Sequence, residues 1–261
     1  MRIIPLVAFF GLSFHAQADR LNVDISVPPQ MDSVRREILK EMSTRKSKLV
    51  IMTDLHRDMT IKEFYNSIAA EASQLPGKKK VCLFLELEEG YQDALNGLKF
   101  KDRESYTCFE NQHASLQAKV TKLMGRKIDH FINLDHIAIL KAVGVKIIAV
   151  DYPLPLEQIE QLKNMKTISS AEGEELLVRP RNKHFAEKIK TAFENKECDL
   201  GFFSVGIGHV SPRQHASHPR FPGVQELLPE LKPLTIEGQA CGPTISCDPV
   251  GGTDFFLTFK K

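Results

Sequence analysis

The chain is predicted to fold as a single α/β domain, a largely parallel central sheet flanked by helices, behind an N-terminal signal peptide. Three observations predict it. Short apolar runs of strand length recur along the chain, stretches with helical apolar spacing alternate with them, and neither a repeat of fixed period nor a linker divides the sequence. Lys48 to Thr53 is the first such strand, because Leu49 to Met52 is apolar throughout, as a strand buried on both faces must be. Thr60-Ile61-Lys62-Glu63 then opens a helix as a capping box, running to about Ser73. Val81 to Glu88 is the second strand, followed by a helical stretch through Leu98 and a polar segment around Lys101 to Glu110. Gln112 to Met124 and Asp129 to Val143 carry helical spacing, and Gly144 closes the latter as a C-cap. Val145 to Asp151 is the third strand, and a helix from Leu156 to Met165 follows it. Pro180 is expected to begin a long helix to about Asn195, and Leu200 to Gly206 is the fourth strand. Leu231 to Glu237 and Phe255 to Phe259 are late strands expected to pair at one edge.

The first residues set the compartment. Arg2, the apolar stretch Ile3 to Phe14 and the small-residue pattern Ala16-Gln17-Ala18 form a secretory signal, with cleavage expected after Ala18. This assigns residues 1–18 to the signal peptide and 19–261 to one domain, exported to the periplasm or medium. The stretch is too short to cross a bilayer, and no later segment reaches the ~20 apolar residues that crossing takes. The segment removes one of 35 basic and none of 33 acidic residues, so the mature chain carries a net charge of +1. That balance excludes a charge-driven nucleic-acid partner, and Lys78-Lys79-Lys80 reads as a solvated turn entering a strand. An oxidising compartment lets the five cysteines form two disulfides. Cys241 and Cys247 bracket a short loop and are the expected pair, while Cys82, in a buried strand, is expected to stay unpaired. Their spacing matches no structural zinc pattern.

The chemistry-bearing residues gather at strand ends. Thr53-Asp54-Leu55-His56 follows the first strand and Gly206-Ile207-Gly208-His209 the fourth, so each hangs a histidine off a carboxyl end, where open α/β sheets collect ligands. The second strand ends in Leu85-Glu86-Leu87-Glu88, whose two carboxylates share a face by the strand period. A carboxylate at the mouth of a buried strand needs a partner: a metal, a proton or an arginine. Arg181 and Asn182 follow Pro180 at the expected helix start, where side chains and free backbone N–H groups can face an anion. No Gly-x-Ser-x-Gly occurs, which argues against a serine nucleophile elbow, and Gly206-Ile207-Gly208 lacks the third glycine of a dinucleotide fingerprint. His215 and His218 sit with Pro212 and Pro219 in what reads as a solvated loop, and His130 and His136 share no helix face.

Taken in order, Thr53-Asp54-Leu55-His56, Leu85-Glu86-Leu87-Glu88, Arg181-Asn182-x-x-Phe185-Ala186-x-x-Ile189 and Val205-Gly206-Ile207-Gly208-His209 resemble the superfamily that joins erythromycin esterases, Tiki/TraB proteins and ChaN-like haem-binding proteins. The resemblance spans about residues 48–237. It implies a fold of the erythromycin esterase and ChaN type, with His56 and His209 as paired histidines, Glu86 as the central carboxylate and Arg181 as an orienting or oxyanion-stabilising group. Asp54, Glu88, Asn182 and Gly208 become candidate substrate contacts, and His56, Glu86 and His209 a candidate set for Mn or Zn. The chain departs from the family at Thr53, which stands for Gly, and at Asp54, which stands for Glu and shortens the reach by one methylene.

The implied activity is hydrolysis of an ester or peptide bond in a small molecule or peptide, one histidine acting as general base, with or without a divalent metal. A carrier is the competing class: the ChaN-like branch implies haem, for which Tyr91, Tyr106, His113 and His215 are candidate ligands outside the four motifs. A third reading is an exported effector on the same scaffold.

Overall fold

Seven strands form one sheet in which each neighbouring pair runs parallel. The computed structural model describes residues 21–24, 28–54, 59–77, 79–124, 132–164, 171–210, 221–241 and 253–260. The strands are β1 (Leu21–Asp24), β2 (Leu49–Asp54), β3 (Val81–Glu88), β4 (Lys146–Asp151), β5 (Leu200–Gly206), β6 (Leu234–Cys241) and β7 (Phe255–Lys260). The helices are α1 (Pro28–Thr44), α2 (Met59–Ser73), α3 (Gln92–Gly97), α4 (Arg103–Met124), α5 (Leu134–Ala142), α6 (Leu156–Asn164) and α7 (Ala171–Glu194). The strand order is β1-β7-β6-β2-β5-β3-β4. The signal-peptide reading of residues 1–18 lies outside the described residues, and no helix among those described is long and apolar enough to cross a membrane.

Connection handedness explains where the helices lie. Parallel crossovers are right-handed, so connections that step one way along a sheet cover one face and those that step back cover the other. The steps β1→β2, β2→β3 and β3→β4 share a direction, and α1, α2, α3, α4 and α5 pack Ile38, Phe64, Ile68, Leu95, Phe109 and Ile137 on one face against Val50, Leu83, Phe202 and Ile236. The step β4→β5 reverses. Helix α7 therefore covers the opposite face, packing Phe185 and Ile189 against Ile51, Phe84 and Phe203. Both faces of β2 and β5 are covered, which is why their sequences are apolar rather than alternating. Gly201 in β5 is part of this packing: a Cβ there would stand 2.8 Å from the Phe84 ring and 3.0 Å from Phe193.

Several boundaries differ from the sequence expectation. Helix α4 begins at Arg103, inside the segment read as polar; Phe109 is its buried anchor there. Helix α5 begins at Leu134 because Asn133 caps it, its side chain accepting from the His136 N–H at 3.2 Å. Gly144 ends α5 with φ +89°, and the Val145 N–H reaches the Leu140 carbonyl at 2.9 Å, as in a Schellman close. The late strands do pair, but β1 lies beyond β7 and takes the edge. Pro180 does not start a helix. It lies inside α7, which runs unbroken from Ala171, so Pro180 removes only the N–H that would bond the Leu176 carbonyl. At the other edge, the Gln92 side chain covers β4: its amide donates to the Ile147 carbonyl at 3.0 Å and accepts from the Ala149 N–H at 2.9 Å, where another chain's strand could otherwise add.

The cysteine expectation is corrected. Cys82 is bonded to Cys198, across a Cα–Cα distance of 5.7 Å, and Cys108 is free and exposed; Cys247 lies outside the described residues. Burial does not isolate Cys82, because Val81 stands opposite Leu200 at the entry of two neighbouring strands and the turn leading into β5 brings Cys198 alongside. The bond closes a 116-residue separation, for which ideal chain entropy gives about 5 kcal/mol, while disulfides typically contribute about 2–4 kcal/mol. A Cys82→Ala/Cys198→Ala variant should lose that amount in urea unfolding without reductant and match the wild type once both are reduced; equal stability without reductant would contradict the bond.

Candidate functional site

The carboxyl ends of β3, β4 and β5 lie side by side, and α7 passes over them. Phe185 fixes that helix: its fully buried ring meets Phe203 at 5.3 Å and the His209 ring edge-on at 5.1 Å. Residues three and four positions before Phe185 share its face, which brings Asn182 and Arg181 to the strand ends. Since α7 starts at Ala171, both act through their side chains from within the helix rather than through free backbone N–H groups at its start.

Arg181 is the hub. Its Nε lies 3.0 and 3.1 Å from the two carboxylate oxygens of Asp151, the last residue of β4. Its Nη2 donates to Asp151 as well and to Glu86 Oε1 at 2.6 Å, and Nη1 lies 3.3 Å from His209 Nε2. The other Glu86 oxygen accepts from the Gly206 N–H at 2.9 Å, and Asp151 Oδ1 accepts from the Tyr152 N–H at 3.0 Å. One extra residue in β3 relative to β4 between Leu85 and Glu88 bends the strand end where Glu86 and Asp151 meet the same guanidinium. All four side chains are buried, between 6% and 13% exposed. Burial alone would lower the Arg181 pKa, but Glu86 and Asp151 overcome it and push the guanidinium above its ordinary value.

The neighbouring amide fixes the histidine. Asn182 Nδ2 faces two carbonyl oxygens, of His209 at 3.1 Å and of Pro222 at 3.2 Å, and these can only accept. Its Oδ1 therefore faces His209 Nδ1, 2.6 Å away, which must carry the ring proton. His209 Nε2 then holds a lone pair toward the Arg181 Nη1 N–H. Burial is the largest influence on His209 and lowers its pKa, with Glu86 opposing, so the ring is neutral. The 3.4 Å approach of Nε2 to Glu86 Oε1 becomes an ion pair only when the ring takes a proton.

Glu86, Arg181 and His209 are thus brought together, with Asn182 behind His209. His56 lies outside the described residues; β2 leads toward it, its last residue Asp54 standing opposite Gly206. Thr53 is buried, its Oγ1 donating to the Ile236 carbonyl at 3.2 Å and its own carbonyl accepting from Tyr65 Oη at 2.7 Å. Glu88 is half-buried and stands opposite Asp151. Gly208 lies in the turn Ile207–His209, where a Cβ would meet nothing within 4 Å. Sequence reasoning missed Asp151, whose signal, an acid closing an apolar strand, matches that of Glu86. It also missed His184 on α7, whose Nε2 lies 2.7 Å from Glu89 Oε1, with Lys188 on the other oxygen and the Tyr152 ring edge-on at 5.1 Å. Burial opposes it, but Lys188 first and His184 second hold the Glu89 carboxyl below its ordinary pKa.

The donors do not suit the expected Mn or Zn. The guanidinium of Arg181 already stands against Glu86 Oε1 and His209 Nε2, where a shared cation would have to sit, and no group of three or more metal-ligating side chains occurs among the described residues. Of the haem candidates, Tyr91 is buried with its hydroxyl 3.0 Å from His113 Nδ1, Tyr106 donates to Asp135 at 2.7 Å, and His215 lies outside the described residues.

Replacing Arg181 by Met should cost about 3–5 kcal/mol in urea unfolding, because it leaves two buried carboxylates facing each other unpaired. Asp151→Asn/Glu86→Gln together with Arg181→Met should recover part of that loss. An Arg181→Met protein as stable as wild type would contradict the buried cluster.

No protein-family model matches the chain, and no curated protein matches it. Among solved structures the chain is similar to ChaN of Campylobacter jejuni, in a structure described as showing cofacial haem binding. The identity is 10%, the TM-score 0.41, and the match covers 85% of this chain and 90% of that one.

Proposed function

We propose that this chain is an exported hydrolase that cleaves an ester or amide bond, with His209 as the general base. One observation carries the reading: a buried, neutral histidine with its Nδ1–H held by Asn182 and its Nε2 lone pair at the carboxyl ends of β3 and β5. In this reading water displaces the long Arg181 Nη1 contact and gives its proton to Nε2 as its oxygen adds to the substrate carbonyl. The imidazolium that forms is stabilised by Glu86 Oε1, and the proton passes to the departing oxygen or nitrogen as its bond to the carbonyl carbon breaks. Arg181 holds Glu86 in place. Three of its five N–H groups stay engaged by Asp151 and Glu86, which suits it to orienting, and the two on Nη1 can face the oxyanion once water has displaced the His209 contact. His56 is proposed as the second histidine, with Asp54, Glu88 and Gly208 as the nearest candidates for substrate contact. Export is supported by the Cys82–Cys198 bond, which an oxidising compartment favours.

A second reading, a haem carrier, is favoured by His113: with Nδ1 engaged by Tyr91, its Nε2 has no partner among the described residues, and the residue lines an open cleft. Bound haem would supply an iron for that nitrogen.

The hydrolase reading is tested with p-nitrophenyl acetate, 2-naphthyl acetate and an amino-acid anilide. His209→Gln should lower kcat/KM about 10²–10⁴-fold. The active form is the neutral ring and burial lowers its pKa, so kcat/KM should be level above about pH 6.5 and fall only as pH drops below it. Full activity in His209→Gln, or a rate that falls on acidification already above that pH, would overturn the reading.

A further inference from the structure

We infer that the groove between α4 and α5, on the α2 side of the sheet, is a binding site for a flat, uncharged aromatic molecule. Two clefts lie on this side of the sheet. The first reaches the strand ends at Leu85, Glu86 and Ser204, under Lys62 and Asn66 of α2. The second, of about 430 Å³, lies between α4 and α5 and falls within the ~300–1,000 Å³ typical of small-molecule sites. Met59, Ile132 and Asn133 line both clefts, so the two adjoin at these residues.

The second cleft is built for a flat, uncharged group. Tyr106, Phe109 and His113 of α4 form one wall and Leu134 of α5 the other, with Met59 and Ile132 between them. The His113 ring is fixed before any ligand arrives: Nδ1 is tied to Tyr91, and the ring lies nearly parallel to Phe109, at 16° and 6.3 Å. Burial lowers the His113 pKa, and burial first and Glu88 second push Tyr91 up to about 12, so this wall carries no charge near neutral pH. Glu110 and Asp135 at the rim set it against an anionic ligand. The first cleft reaches Glu86, but the Glu86 carboxylate is turned the other way, to Arg181 and His209 on the α7 face, so this cleft is separate from the histidine site.

The probe is 2-naphthol, followed by its fluorescence on the full mature chain. Saturable binding is expected in wild type and in His209→Gln, weakened about tenfold in His113→Ala and in Met59→Glu, and kept within about threefold of wild type in His113→Phe, which retains an aromatic wall. Equal binding in wild type, His113→Ala and Met59→Glu, or none in wild type, would overturn the groove. Naphthol binding of the expected pattern without hydrolysis of 2-naphthyl acetate would overturn the hydrolase reading and leave the groove. Hydrolysis lost in His209→Gln but with naphthol binding indifferent to His113 and Met59 would do the reverse. Haem that displaces 2-naphthol and gives a Soret shift absent in His113→Ala would make haem, rather than a simple aromatic molecule, the flat ligand of the groove.

Discussion

One guanidinium shared between two strand-end carboxylates is the constraint on which the upper face of this sheet depends. Arg181 joins α7 to β3 through Glu86 and to β4 through Asp151, and Glu86 in turn takes the Gly206 N–H of β5. Three parallel strands have no hairpin joining their ends; the backbone ladders set their register, and this cluster ties their last residues together. A buried ion network is a weak source of net stability, because desolvation consumes most of the attraction, but removing one member leaves uncompensated charge. Its effect is to permit one arrangement of the strand ends and penalise the others.

That arrangement gives His209 its state. Asn182, adjacent to Arg181 in the helix, holds one ring nitrogen, and Arg181 itself faces the other. The helix position that supplies the ion cluster thus also supplies the tautomer, and Phe185 one turn on keeps both in place by packing on the His209 ring. Neutrality follows from burial. The same cluster provides a carboxylate ready to meet the ring when it is protonated, so the proton accepted in a reaction has a counter-charge that needs no movement.

The sheet was legible because its strands are buried on both faces: Leu49 to Met52 and Leu200 to Val205 admit no amphipathic reading. The strand-end position of Glu86 and His209 followed from the same runs. What was not legible was non-local. That Asp151 shares Arg181 with Glu86 depends on a bulge in β3, which leaves no mark in the local sequence. That Cys82 meets Cys198 depends on β5 inserting beside β3 after a long excursion of the chain. Pro180 misled because its local preference for a first helical turn was outweighed by the packing of α7 along its length, and the start of α4 was hidden in a polar segment with Phe109 as its buried residue. Glu86, Arg181 and His209 were singled out by their positions at predicted element ends; how their hydrogen bonds are distributed required the three-dimensional arrangement.

The central claim is the state of one ring, and ¹⁵N NMR of the histidine side chains measures it directly. Long-range ¹H–¹⁵N spectra of ¹⁵N-labelled protein, with His209 assigned by its loss in His209→Gln, should show the Nδ1–H tautomer at neutral pH and a titration that begins only below the ordinary histidine range near 6.5. An Nε2–H tautomer, or a ring already charged at neutral pH, would contradict the account.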